Sequence, residues 1–518
     1  MAATQVDPGS VAPVKQSTGR RIVPLPAWAL AAAGLFATLP FITRRVGDPD
    51  YWWQTLTGRL IFTNHSLVRT DLYTYTVPGA HWTDHEYGMQ LIFYGLTRVG
   101  GLLLVSVFFA FVVWVGFAFV LARMRERQVS WLVAGATLVL GAGAGFAVWG
   151  PRSQMVDFAF LGLELWFVER FLSGKGRAFY FMPLVVLIWA NLHGGFVFAF
   201  YALGVLLVTL AVRWLWEGRS KEQLALLRRA ALVTVGCVVA SLVTPWGPSL
   251  FIYVFRTQFS SQQSSFIAEW ASPDFHMTDV LGFEIMLLLI LVGFMWRRPR
   301  LYDVLLVVSG IVLALHAVRF IEIFVVVAAP IVAWQWSAAW ERLRTWVAVN
   351  GRWPAATPTL RDGVVMASAL VCVASVGFAA YTLRGQTAST NANYPVAAAD
   401  WLEAHPNVGT RVFNQYDWGG YLAYRFYPES SRRVFIYGEA ELMGDALLAQ
   451  YVEVNQLHSD WEQVLDSYGV DYVVFAADRP LDTALQASST WMQVYADGVA
   501  DIFVRRSAAP AGLTPVSG

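Results

Sequence analysis

Charge is scarce in this chain. Only 14% of its 518 residues are Asp, Glu, Lys or Arg, while 56% are hydrophobic. An ordinary soluble globule carries about 25% charged residues, so that class is excluded. The charges present nearly cancel, leaving a net +1, and no basic excess exists to hold a nucleic acid. Cysteine is scarcer still. Cys237 and Cys372 both stand inside apolar runs, where small buried side chains are expected rather than a disulfide or a metal site. The chain also lacks an internal repeat, a coiled-coil heptad and a long low-complexity tract. The first apolar run is followed by Arg44-Arg45 without a small-residue cleavage site, so it reads as a retained span and not a signal peptide.

Apolar length is what the chain has in abundance, with a mean hydropathy of +0.48 and 23 Trp. Taking roughly 20 apolar residues per bilayer crossing, eleven spans are expected. They lie near 24–43, 100–122, 130–149, 155–171, 178–193, 195–214, 230–247, 279–296, 301–318, 320–338 and 363–383. The fifth is short and ends at Asn191-Leu192-His193-Gly194-Gly195, which suits a broken or tilted span. With the N-terminus inside, the cytoplasmic segments hold 21 Lys and Arg against 8 in the outer loops. That overall asymmetry sets the expected orientation. The fold class expected is an α-helical polytopic membrane protein with a C-terminal extracytoplasmic α/β domain. Its parts are a cytoplasmic tail (1–23), a transmembrane domain (24–384) with a large first outer loop (44–99), the outer domain (385–508) and a disordered tail (509–518).

The outer domain is expected because the pattern changes after Arg384. Helix is expected over Ala397–His405 and Asp445–Tyr468, strands over Thr410–Asn414, Arg433–Tyr437 and Val470–Phe475, and a hairpin over Trp491–Arg506. Short alternating helices and strands over about 120 residues make one core of normal size.

Chemistry concentrates at Gly47-Asp48-Pro49-Asp50-Tyr51-Trp52-Trp53, directly after the first span. An interface explains the Trp and Tyr but not paired carboxylates, which are costly near lipid and mark function. Pro49 stiffens the backbone between Asp48 and Asp50, so one suits a general base while the other holds a cation or orients an acceptor. The plain alternative is an N-cap and a turn. The same loop carries Asp71 and Trp82-Thr83-Asp84-His85-Glu86, which favours a site. His85 and Glu86 are adjacent, so on a helix they diverge and do not chelate one ion.

Other outer ends of spans add polar groups: Asn191 and His193, Glu269-Trp270, and His316, Arg319 and Glu322. Arg319 stands in nearly uninterrupted apolar sequence and needs an anionic partner. Glu322 is the structural candidate and a lipid phosphate the functional one. Asp157, Glu164 and Glu284 lie within spans; helix contacts or interface placement suit the first two. In the outer domain, Asn414-Gln415-Tyr416-Asp417-Trp418-Gly419-Gly420-Tyr421 suits a tight turn that lets another chain's backbone approach. A second polar cluster, Tyr437-Gly438-Glu439-Ala440, closes the next expected strand.

An Asp-bearing first outer loop, about a dozen spans and a C-terminal outer α/β domain together resemble the GT-C glycosyltransferases, membrane enzymes that use polyprenyl-phosphate-linked sugars. More narrowly, Asp48 to Trp53, Thr70-Asp71, His85-Glu86, Trp189 to Gly194 and Asn414 to Tyr421 resemble an uncharacterised bacterial multispan group of this type. Asp48-Pro49 is also similar to the Asp-Pro-aromatic motif of the oligosaccharyltransferase catalytic subunit, which holds a metal. Tyr416-Asp417-Trp418-Gly419 has the character and place of that subunit's acceptor-reading motif but not its spelling, so sequon recognition is not carried over.

The resemblance implies a multi-pass enzyme of the cell (inner) membrane. It would transfer a sugar from a polyprenyl-phosphate donor to an extracytoplasmic glycan, lipid or protein acceptor, with membrane lipids as further partners. Asp48 or Asp50 would be the base, and a divalent metal (Mg or Mn) would sit at Asp48. Substrate contacts would come from Trp52, Trp53, Asp71, His85, Glu86, His193, Glu269, Arg319, Tyr416, Asp417 and Trp418. A lipid-linked glycan flippase or a non-catalytic envelope-assembly protein are the rivals. The missing repeat between halves and the outer domain argue against transport.

Overall fold

In the computed structural model, which describes residues 26–349 and 358–516, each of the eleven expected apolar stretches contains a helix. The expected tail over 1–23 lies outside the described residues. The first stretch holds α1 (Ala27–Phe36) and α2 (Leu39–Ile42), followed by α3 (Asp50–Asn64) and the long α4 (Tyr87–Glu126). Then come α5 (Trp131–Ala144), α6 (Met155–Leu172), α7 (Met182–Ala190), α8 (Val197–Trp216) and α9 (Lys221–Ser241). After α10 (Ser249–Phe259) and α11 (Ser261–Phe266), the helical body closes with α12 (Leu281–Gly293), α13 (Leu301–His316), α14 (Ile321–Val349) and α15 (Pro358–Thr382).

Local chemistry sets the boundaries. Ser130 and Ser220 open α5 and α9, their hydroxyls accepting from the N–H of Val133 (3.4 Å) and Gln223 (3.1 Å), the usual N-cap arrangement. Gly218, at φ 96°, ends α8 by turning left-handed. Among the described residues, the segments of α4, α8, α9, α14 and α15 are long and apolar enough to cross a membrane, which makes this a multi-pass membrane protein. Burial divides them. In the apolar window of α14, 83% of residues are buried inside the protein, against 11% for α15. A helix apolar on every face belongs at the centre of a bundle, and the Val325–Ala329 run fills that place.

The first outer loop is more helical than expected. Ten residues of α3 are buried, and α4 begins at Tyr87 rather than near 100. Its 40 residues would run about 60 Å, twice a bilayer's hydrocarbon thickness. Gly101 breaks the rod with φ 61° and ψ −159°. Met89 and Phe93, one turn apart, are fully buried, which explains why the stretch before the break is helical despite its polar residues.

The C-terminal part opens with α16 (Gln386–Asn393) and α17 (Val396–Ala404), then β1 (Val412–Asn414) and α18 (Gly419–Phe426). It continues through α19 (Ala440–Asn455), α20 (Trp461–Ser467), β2 (Tyr472–Ala476), α21 (Pro480–Ala487), β3 (Trp491–Ala496) and β4 (Ala500–Arg505). The four strands form one sheet in the order β1-β2-β4-β3. β1 runs parallel to β2, with Phe413 opposite Val473; β4 is antiparallel to both β2 and β3.

The strand expected at Arg433–Tyr437 is not part of this sheet. Asn414 blocks the ladder there by pairing through its side chain: Oδ1 accepts from Phe435 N–H (2.9 Å) and Nδ2 donates to the Ile436 carbonyl (2.9 Å). The segment pairs instead with the first outer loop, as Val434 N–H donates to Tyr73 O (3.0 Å) and Tyr75 N–H to Val434 O (3.2 Å). Residues 509–516, expected as a frayed tail, run back along the hairpin, where Val516 N–H donates to Gln493 O (2.9 Å).

Candidate active site

The Asp48-Pro49-Asp50 turn forms the start of α3 and one wall of a cavity. Asp48 is a cap in fact: its Oδ1 accepts from Asp50 N–H at 2.8 Å. Its other oxygen meets the Arg152 guanidinium. Asp50 begins α3, and its Oδ1 accepts from the Trp53 indole N–H at 2.9 Å. The cavity holds about 530 Å³ between the helical body and the C-terminal domain. Its walls come from the first outer loop (Asp48, Asp50, Trp53, His85, Glu86), the α5–α6 connection (Arg152, Ser153, Gln154), the α7–α8 connection (His193) and the α11–α12 connection (Glu269, Trp270). Arg319 lies at the start of α14's segment, and Tyr416, Asp417, Gly438 and Glu439 come from the C-terminal domain.

Ten carboxylates line this space against two guanidiniums, so the positions of the two arginines decide where an anion binds. Arg152 pairs with Asp48 and, at 2.5 Å, with Glu269. Arg319 pairs with Glu269 at 3.3 Å, donates to Gln154 Oε1 at 3.0 Å and lies 4.4 Å from the Trp270 ring centre. The expected Arg319–Glu322 pair is therefore replaced by Arg319–Glu269. Glu322, three residues on along the same segment, keeps Oε2 without a hydrogen bond. Burial works to raise the Glu269 carboxyl, but Arg319 and Arg152 together hold it below its ordinary range. For Asp48 burial wins over Arg152 and the group is raised. Asp50 is pushed well up by burial and then by Asp48, with the Trp53 N–H opposing.

A second constellation converges beside the first. Ligand atoms of His85, Glu86 and His193 all lie within 4.8 Å of one another. The divergence expected for adjacent His85 and Glu86 fails because they are not on a helix: Glu86, at φ −137°, is the residue before α4. Both Glu86 oxygens are oriented, one by Gln54 Nε2 (2.8 Å) and the other by the Ser153 hydroxyl. His193 Nδ1 bonds Asp157 (2.8 Å), leaving its far nitrogen toward the group, as ligand histidines are held by a second carboxylate. His85 stacks on Tyr253 (4.6 Å), and its Nδ1 is buried without a partner. Burial, followed by His193, pushes His85 well down, which favours the neutral imidazole, the form that binds a metal. Asp48, the metal ligand implied by the resemblance, faces a guanidinium instead.

The structure thus brings together Asp48, Asp50, Trp53, His85, Glu86, His193, Glu269, Arg319, Tyr416 and Asp417. Trp52, Asp71 and Trp418 lie outside the cavity. Trp52 packs among Tyr394, Tyr421 and Tyr424 at 5.0–5.5 Å. Asp71 closes its own turn, accepting from Tyr73 N–H, Thr74 N–H and the Thr74 hydroxyl. Trp418 donates to Asn393 O at 2.9 Å. The Gly419-Gly420 pair admits a backbone as expected, but this chain's own: added Cβ atoms would meet Ile436 O and, at 3.0 Å, Pro49 O.

Residues missed by sequence reasoning are Arg152, Asp157, Tyr253, Gly438 and Glu439 as parts of one site. Arg152 had a visible signal, a charge isolated between two apolar runs beside Gly150-Pro151. Tyr253 had none; its hydroxyl donates to Glu439 at 2.6 Å. Burial, then the nearby Glu86, pushes the Glu439 carboxyl well up.

No protein-family model and no curated protein matches this sequence. Solved structures do match its fold. The archaeal oligosaccharyltransferase AglB from Archaeoglobus fulgidus, in complex with an inhibitory peptide and a dolichol-phosphate, has a TM-score of 0.54 at 13% identity. That match covers 94% of this chain and 75% of AglB. The Archaeoglobus fulgidus oligosaccharyltransferase tethered with an acceptor peptide matches with a TM-score of 0.51 at 14% identity, over 94% and 75% of the two chains. ArnT from Cupriavidus metallidurans in the apo state matches with a TM-score of 0.51 at 14% identity, over 93% of this chain and 98% of ArnT. At such identities the likeness is one of fold.

Proposed function

We propose, from the premise that this chain carries the GT-C glycosyltransferase fold, that it transfers a sugar from a polyprenyl-phosphate-linked donor to an acceptor on the outer face of the cell membrane. The observation that carries this reading is the cavity in which Asp48 and Asp50 face Arg152 and Arg319 beneath the C-terminal domain. A neighbouring fold in complex with a dolichol-phosphate makes a lipid phosphate the fitting ligand for two guanidiniums, which grip phosphate oxygens in pairs. The excess of basic residues in the alternate loops supports an N-terminus inside, eleven crossings and an α/β domain outside. Asp50 or Asp48 would accept the proton of the acceptor's hydroxyl or amide. The acceptor atom would then bond to the anomeric carbon as the bond from that carbon to phosphate oxygen breaks, the electron pair leaving with the lipid phosphate. Glu439, Tyr416 and Asp417 would receive the acceptor from the C-terminal side.

His85, Glu86 and His193 fit a divalent cation: two imidazoles and an oriented carboxylate converge, and one buried ring nitrogen lacks any partner. Imidazole donors suit Mn²⁺ better than Mg²⁺. When bound, such an ion would place positive charge against the donor phosphate.

Native mass spectrometry tests the reading. The purified protein, incubated with total polar lipids of its own membranes, should retain a polyprenyl-phosphate sugar when Asp50→Asn or Asp48→Asn blocks turnover, at a rate loss of roughly 10²–10⁴. Wild-type turnover in both variants, or no retained polyprenyl phosphate, would overturn it.

A further inference from the structure

Arg152 has two carboxylate partners and a third role open to it. Its Nε meets Asp48, and its Nη1 meets Glu269 at 2.5 Å. Yet its side chain is 31% exposed, against 11% for Asp48 and 18% for Arg319. It is the more accessible of the two guanidiniums and the one that pairs with Asp48. Asp48 does not depend on it for position, because the Asp50 N–H holds its other oxygen at 2.8 Å. Glu269 joins Arg152 to Arg319, whose stacking on Trp270 fixes the second guanidinium.

We infer that Arg152 couples donor binding to the base: a lipid phosphate bridging Arg152 and Arg319 draws Arg152 off Asp48, and only then is the Asp48 carboxylate free to accept a proton. A carboxylate and a phosphate compete for the same guanidinium edge, and phosphate offers more oxygens to it. Once Arg152 leaves, Asp48 stays in place as a buried anion with no paired cation, which makes it more basic. An acceptor arriving before the donor meets a carboxylate already occupied by Arg152. Donor therefore precedes acceptor. Arg152 acts here by occupying or releasing the Asp48 carboxylate and as a contact for the phosphate. The inference rests on the donor reading above and adds order and coupling to it.

Undecaprenyl phosphate binding to the full chain in phosphatidylcholine nanodiscs, followed by thermophoresis, tests this without any acceptor. If Arg152 must leave Asp48 to bind phosphate, Asp48→Asn should tighten binding roughly tenfold, the size expected for contacting groups. Arg152→Gln should weaken binding, and Asp48→Asn added to Arg152→Gln should then have no further effect. Equal tightening in both backgrounds would mean a general field effect and overturn the coupling, as would unchanged affinity in Asp48→Asn. Arg152→Lys guards against misfolding: it keeps the charge but not the fork, and the Asp48→Asn effect should fall below about threefold in its background. Wild-type binding without coupling refutes this inference alone. No binding by wild type refutes the donor reading and this inference together.

Discussion

Replacing Trp53 by Phe would separate packing from electrostatics at the acid pair. Trp53 is 1% exposed and lies against Trp82 and Tyr437, with ring centroids 5.7 and 5.6 Å apart. Phe keeps an aromatic ring there but deletes the indole N–H that donates to Asp50 Oδ1 at 2.9 Å. The lost volume, roughly 40 Å³, costs about 1 kcal/mol at ~24 cal/mol per Å³. The lost bond to an ionised carboxylate adds about 1.5–3 kcal/mol. Burial and Asp48 already push Asp50 well above its ordinary value, and the indole N–H opposes that push. Its removal therefore raises Asp50 further.

The sign follows. The bond stabilises only the ionised carboxylate, so the variant's deficit is largest in alkali and falls toward the packing component as acid protonates Asp50. Equilibrium unfolding in mixed micelles, followed by fluorescence of the remaining tryptophans, should show a deficit of about 2.5–4 kcal/mol at high pH and about 1 kcal/mol at low pH. An equal deficit at both would refute the Trp53–Asp50 assignment.

Gly438→Ala adds a methyl group where the Asp50 carboxylate already stands. Moving a reacting group by about an ångström costs on the order of 10² in rate, so turnover of the lipid-linked donor should drop by that factor, and wild-type turnover would refute the arrangement. In the C-terminal domain, burial and the facing Asp482 push Asp501 up to about 7. An acid raised in the folded state contributes stability below its ordinary pKa and loses it as pH rises through the folded value. Stability should therefore decline between roughly pH 4 and 7, and Asp501→Asn, neutral throughout, should flatten the slope of unfolding midpoints against pH; a variant that keeps the slope would refute the pairing.

Much of the helical body was legible because hydropathy and caps are local. Each expected span holds a helix, and the Asp48–Asp50 turn stands in the cavity wall. The error at Arg433–Tyr437 has a local appearance and a distant cause. Its residues read as a strand, but the Asn414 side chain occupies the ladder positions, and the partner backbone belongs to Tyr73–Tyr75. Likewise, Trp52 and Trp418 carry the composition of a binding face, yet Trp52 seats α3 against Tyr421 of α18 and Trp418 ties its own turn to the end of α16.

By itself the sequence determined where apolar helices form and that carboxylates would crowd one end of them, because each depends on residues within a turn or two of one another. Tertiary structure decided which helix is central: α14 and α15 have comparable hydropathy, 1.8 and 2.1, and only packing buries one and exposes the other. It also decided which cation meets which acid. Arg152 and Glu269 stand 117 residues apart, and Arg319 passes over nearby Glu322 to reach that same Glu269. Such pairing depends on how the chain closes in space, and hydropathy, a property of one segment at a time, carries no information about it.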